Sequence, residues 1–198
     1  MADRIATIER NTSETQILIE LRLDGTGKAQ MEMDCGFLKH MLELFAAHGR
    51  FDLRIRAEGD RWVDDHHLTE DLAIALGQAF RTALGTGAGI ARYGDIHLPM
   101  DEALVLVAVD ISGRAALGYG LRIPTEKVGS FDTELVREFL TAFSRSLGAS
   151  IHCHQIAGEN AHHIIEACFK GLGRALSQAA AIDPRLEGGV PSTKGTLL

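Results

Sequence analysis

Residues 64–84, "DDHHLTEDLAIALGQAFRTAL", open with two adjacent histidines, His66 and His67, and place Glu70 four positions after the first. Behind them Leu68, Leu72, Ile74, Ala75, Leu76, Ala79 and Phe80 recur at helical spacing, and acidic residues occupy the end of a helix that favours them. One HH pair at a helix start reads as a solvated polar cap. This pair is not alone. Residues 160–181, "NAHHIIEACFKGLGRALSQAAA", overlay it with a shift of 96, matching His66 to His162, His67 to His163, Glu70 to Glu166, Leu76 to Leu172, Gly77 to Gly173, Ala79 to Ala175 and Ala83 to Ala179.

The flanks repeat in the same order. Before the first motif, "GFLKHMLELFAAHG" (36–49) has helical periodicity with Gly49 at its end, and "RFDLRIRAEGD" (50–60) alternates as a strand. Before the second, "FDTELVREFLTAFSRSLG" (131–148) predicts an amphipathic helix and "ASIHCHQIAGEN" (149–160) a strand. Upstream, "RIATIERNTSETQILIELRLDG" (4–25) predicts a hairpin, and "YGDIHLPMDEALVLVAVDISGRAALGYGLRI" (93–123) a second run of strands with an acidic turn near Asp101 and Glu102. The pattern is an internal duplication. It predicts an α/β (α+β) chain of 198 residues forming one domain from two similar halves, about 1–90 and 91–198, each a small sheet carrying two helices.

On a helix, positions i and i+4 share a face, so His66 with Glu70, and His162 with Glu166, can each close on one metal ion. His67 and His163 point about 100° away and reach sideways to a second ion, held by the other half or another subunit. His40 and His152 are candidates for the remaining ligands, which brings the set to three histidines and one carboxylate per ion. Such donors suit Mn, Fe, Zn or Ni and leave positions open for water or substrate.

Other classes are disfavoured. A net charge of −7 gives no basic field for nucleic acid or anionic membrane, and no apolar run approaches the roughly 20 residues of a bilayer span. Cys35, Cys153 and Cys168 form no CxxC pair and "MADRIATIER" is no signal peptide, so a soluble cytoplasmic chain with free thiols is expected. "LGTGAGIARYG" has a GxGxG run, but it follows a helix instead of joining a strand to one, and no GK[ST] follows glycines. Phosphate binding would fall to Arg92, Arg114, Ser192 and Lys194, in or beside loops, strand ends and a flexible tail.

The motifs "RNTSET", "GFLKHMLELFAAHG", "DDHHLTEDLAIALGQA", "RYGDIHLPMDEAL", "DISGR", "GENAHHIIEACFKGLGRAL" and "STKGTL" give the chain an end-to-end resemblance to the imidazoleglycerol-phosphate dehydratases of histidine biosynthesis. The resemblance implies halves like the second domain of ribosomal protein S5, two Mn(II) ions per active site, a cage of 24 subunits with sites at subunit interfaces, and the monofunctional form. It implies metal ligation by His40, His66, His67, Glu70, His152, His162, His163 and Glu166, with His152 favoured over His154. It implies that Glu14 faces the glycerol chain of a phosphorylated imidazole substrate and that Arg92, Arg114 and Ser192, Thr193 and Lys194 contact phosphate. The expected chemistry is loss of water by way of a metal-bound imidazolate and a diazafulvene-like intermediate, with Glu14, Glu70 or Glu166 as base. A metal-dependent hydrolase and a non-catalytic metal-binding assembly are the competing readings.

Overall fold

The computed structural model describes residues 3–197. The first half runs β1 (Ile5–Asn11), β2 (Thr15–Arg22), β3 (Ala29–Glu32), α1 (Gly36–Gly49), β4 (Asp52–Gly59) and α2 (His66–Leu84). The second runs β5 (Tyr93–Met100), β6 (Ala103–Ile111), β7 (Ala116–Gly120), the short pair β8 (Lys127–Val128) and β9 (Phe131–Asp132), α3 (Leu135–Leu147), β10 (Ala149–Ala157) and α4 (Ala161–Ala180).

Each half folds into a four-stranded sheet of the same topology, ordered β1-β2-β4-β3 in one and β5-β6-β10-β7 in the other. The first hairpins match residue for residue under a shift of 88: Ile5 faces Arg22 as Tyr93 faces Asp110. Leu23 N–H donates to Arg4 C=O just as Ile111 N–H donates to Arg92 C=O, both at 3.0 Å. In both halves the last two strands of the sheet run parallel, β3 with β4 and β7 with β10, and a helix makes the crossover between them.

Strict alternation gives each sheet one dry face. Ile17, Ile19 and Leu21 of β2, and Val105, Val107 and Val109 of β6, are buried. α2 lies against β1 and β2, and α4 against β5 and β6, yet the helices pair across the halves, α1 with α4 and α2 with α3. The core therefore sits between two helix-bearing sheets, and neither half closes it alone.

The glycines shared by the repeats mark these crossings. A Cβ on Gly77 would stand 2.9 Å from Phe143 O and 2.7 Å from Ser146 Cβ, and one on Gly173 would stand 2.4 Å from Phe45 O. Gly49 is not the left-handed residue that ends α1. That role falls to Arg50, at φ 58, while a Cβ on Gly49 would overlap the Phe51 ring. The remaining differences from the expected elements are small. β3 has four residues, too few for a period to show, and Phe131 and Asp132 pair with Lys127 and Val128 instead of opening α3.

Candidate metal centre and active site

The second motif gathers ligands most tightly. Asn160 caps α4, its side chain accepting from the N–H groups of His162 and His163, so both histidines stand on the first turn. His162 Nε2 lies 3.1 Å from Glu166 Oε2, and His40 Nε2, arriving from α1 of the other half, lies 3.7 Å from the same oxygen. Ligand atoms of His40, His162 and Glu166 all fall within 4.8 Å of one another, and among the described residues no other His, Cys, Asp or Glu set of three does so. The first motif's His66 and Glu70 belong to no such set of three among the described residues. Two imidazole nitrogens and a carboxylate oxygen fit a divalent transition metal.

Glu166 is buried, and Lys170 is its i+4 neighbour. Lys170 Nζ sits 2.5 Å from Oε1, while Oε2 faces the histidines. Burial works to raise this carboxyl, but Lys170 and His162 outweigh it and hold it below its ordinary range. One oxygen is thus oriented by an ammonium and the other faces His40 and His162.

The adjacent histidines behave as the helical twist requires. His66 and His67 rings lie 6.2 Å apart at 77°, and His162 and His163 repeat the same values. Each second histidine has Nδ1 held by a carboxylate that sequence reasoning did not assign. His67 Nδ1 is 3.0 Å from Asp60, and His163 Nδ1 is 2.7 Å from Glu102. This support from behind fixes tautomer and ring direction in metal-binding histidines. It raises both imidazoles above their ordinary pKa and, with the Asn160 N–H, pulls Glu102 down to about 2. Glu14, on the β1–β2 turn, stands 3.9 Å from His67 Nε2.

His152 is not brought to the second cluster. Its place on β10 turns it to the exposed outer face of the second sheet, where its ring stacks on that of His154, 6.1 Å away at 19°. Both rings lie over glycines of β7, since a Cβ on Gly118 or Gly120 would collide with them.

The phosphate candidates gather elsewhere. Arg92 donates Nε and Nη2 to Asp110 and Nη1 to Pro191 C=O, which anchors the tail carrying Ser192, Thr193 and Lys194. Its guanidinium lies over the Tyr93 ring, 4.7 Å from the centroid. The tail is further fixed where Gly89 N–H donates to Gly189 C=O and where buried Leu197 packs on Gly87, so the "GTGAGI" loop is its dock. Exposed Arg114 lies at the same end of the sheet, its carbonyl accepting from Ser150. Arg92 N–H bonds Ala179 C=O near the end of α4, roughly 25 Å along the helix from His162.

A family profile described as imidazoleglycerol-phosphate dehydratase matches residues 33–176, which include both HHxxE motifs. The chain belongs to the imidazoleglycerol-phosphate dehydratase family. It is 58% identical to the enzyme of that name from Methylorubrum populi over 194 residues, 98% of this chain and 100% of the relative. The Pyrococcus furiosus dehydratase structure superposes with TM-score 0.83 at 40% identity, covering 96% of this chain and 100% of that one. The Staphylococcus aureus structure gives 0.82 at 40% identity, covering 90% and 99%. No helix among the described residues is long and apolar enough to cross a membrane.

Proposed function

We propose that this chain dehydrates D-erythro-imidazoleglycerol phosphate to imidazole-acetol phosphate in L-histidine biosynthesis, using two Mn(II) ions per active site. The convergence of His40, His162 and Glu166 in a member of this family carries the reading. His66, His67, Glu70, His152 and His163 would complete the ligand set from neighbouring copies, in a 24-subunit assembly. The separation along α4 supports this. A substrate of about 10 Å cannot reach from His162 to the Arg92 and Ser192–Lys194 end of the same chain, so its ring and phosphate belong to different copies.

When bound, the metal supplies Lewis acidity that favours the ring as its anion. The ring-side hydroxyl would leave as water by taking up the proton that the ring nitrogen gave up, and loss of that group would acidify the C–H proton on the next carbon. A carboxylate removes that proton, and the enol relaxes to the ketone. Of the three candidate bases, Glu166 is committed to Lys170 and the histidines, and Glu70 shares its position in the other repeat. Glu14 is half exposed and is the base we assign. Arg114, Ser192, Thr193 and Lys194 take the phosphate, and Arg92 holds the tail that presents them.

The test is formation of imidazole-acetol phosphate by purified protein loaded with Mn(II). Turnover establishes the dehydratase; bound metal without product would overturn it in favour of a metal-binding assembly.

A further inference from the structure

The two hairpins provide an internal control. Glu14 and Glu102 are the second residues of two-residue turns at matching hairpin positions, Ser13–Glu14 and Asp101–Glu102, of which only the second has a left-handed residue, Asp101 at φ 49. Their surroundings differ. Glu102 is consumed in structure: Oε2 meets His163, and Oε1 accepts from the Glu159 and Asn160 N–H groups. Glu14 has no such duty, because Asp60 holds His67 in its place.

The Glu14 turn is instead fastened by a polar clamp whose centre, Asp71 and Thr15, is buried, with half-buried Arg10 and exposed Thr12 at its edge. Asp71, next to Glu70 on α2, accepts from Arg10 Nη2 at 2.6 Å and from Thr15 Oγ at 2.6 Å, with Thr12 Oγ at 3.4 Å. Thr12 Oγ in turn accepts from the backbone N–H of Glu14 and of Thr15 at 3.1 and 2.9 Å. In the second half the same four positions, counted by the hairpin shift of 88 and the helix shift of 96, are Leu98, Met100, Ala103 and Ala167. All four are apolar. Leu98, Ala103 and Ala167 are buried there, and Met100 packs beside them with its sulfur 3.5 Å from Lys170 Nζ, so none of the four positions supplies a charged or hydroxyl side chain to this corner. Buried ionic groups are seldom better for stability than an apolar set of similar volume.

We infer that Asp71 is a positioning residue: through Arg10, Thr12 and Thr15 it holds the Ser13–Glu14 turn on α2, so that the one hairpin carboxylate left free keeps a fixed place beside the metal-binding helix. The role given to Glu14 rests on the dehydratase reading, but the clamp itself is observable without turnover.

The test compares wild type with Asp71→Asn and with a variant that copies the second half, Arg10→Leu, Thr12→Met, Thr15→Ala and Asp71→Ala. The second variant guards against loss of fold, since the same residue types already pack together at the matching corner of the second half. Amide exchange at Glu14 and Thr15 should quicken by about tenfold or more while α2 keeps its protection. In the Mn(II)-loaded assembly kcat should fall about 100-fold with KM little changed, the loss expected when a reacting group is misplaced by about 1 Å. In a Glu14→Gln background the clamp substitutions should cost less than about twofold more, because they act through Glu14. Unchanged exchange at the turn would overturn the clamp even if the wild type proved inactive on the substrate. An undiminished loss in the Glu14→Gln background would reduce Asp71 to a structural part.

Discussion

At the residue scale, the informative contacts are those that hold the metal-facing groups from behind. Lys170 aligns Glu166, and at its place in the other repeat stands Ile74. Lys170→Met should therefore weaken Mn(II) binding at the second motif by about 10- to 100-fold, as loss of an outer partner does, with titration calorimetry as the check. Glu166→Gln removes the donor oxygen itself and should abolish product formation; wild-type turnover by that variant would remove Glu166 from the site. Glu102 and His163 make a pH prediction for chelated protein. A carboxyl depressed to about 2 contributes stability above its ordinary 4.5 and loses it as pH falls toward 2. A histidine raised above 6.5 contributes below that value and loses it as pH climbs through its folded pKa. Urea melts of wild type and Glu102→Gln should differ most between about pH 4.5 and 6.5, and a difference that is flat across pH would refute the pair. None of these partners announced itself in sequence. Lys170 looks like a surface lysine, and Glu102 is far along the chain from His163, joined to it only by hairpin geometry.

At the element scale, the repeat of Gly77 and Gly173 has a packing cause. Each lets one helix approach the backbone of a helix from the other half, with Phe143 O and Phe45 O at the contact. Gly173→Ala should cost about 1–3 kcal/mol, the usual range for forcing a methyl group into a filled core, and more than Gly36→Ala, where a Cβ meets nothing within 4 Å. Chemical denaturation measures both. The long helices, β4, β10 and the first hairpin were legible because each spans enough residues for its period to show. β3 and the β8–β9 pair were not: β3 is four residues held by a strand further along the chain, and β8 and β9 are two residues each, paired across a tight turn and too short for any period to show. The end of α1 was legible in place but not in cause: Gly49 serves the crossing, and Arg50 takes the left-handed turn.

At the scale of the whole molecule, one chain displays incomplete chemistry. His152 faces outward, His66 and Glu70 lack a third donor among the described residues, and the phosphate candidates lie at the far end of α4 from His162. If neighbouring copies supply what is missing, chelation should dissociate the native assembly and Mn(II) should restore both mass and activity. Sedimentation of stripped and refilled protein decides the matter, and an unchanged mass with no metal bound would count against shared sites. The sequence by itself determined the duplication, the helices that start on paired histidines and the identity of the candidate ligands, because helical periodicity and a repeat of 96 residues are properties of the chain read in order. Tertiary structure alone decided that His40 serves the second motif, that Asp60 and Glu102 back the adjacent histidines, that His152 stands apart, and that Glu14 is free while Glu102 is not. Those outcomes depend on which face a strand presents and which helix crosses which, and such choices are made by packing between halves that are remote in sequence.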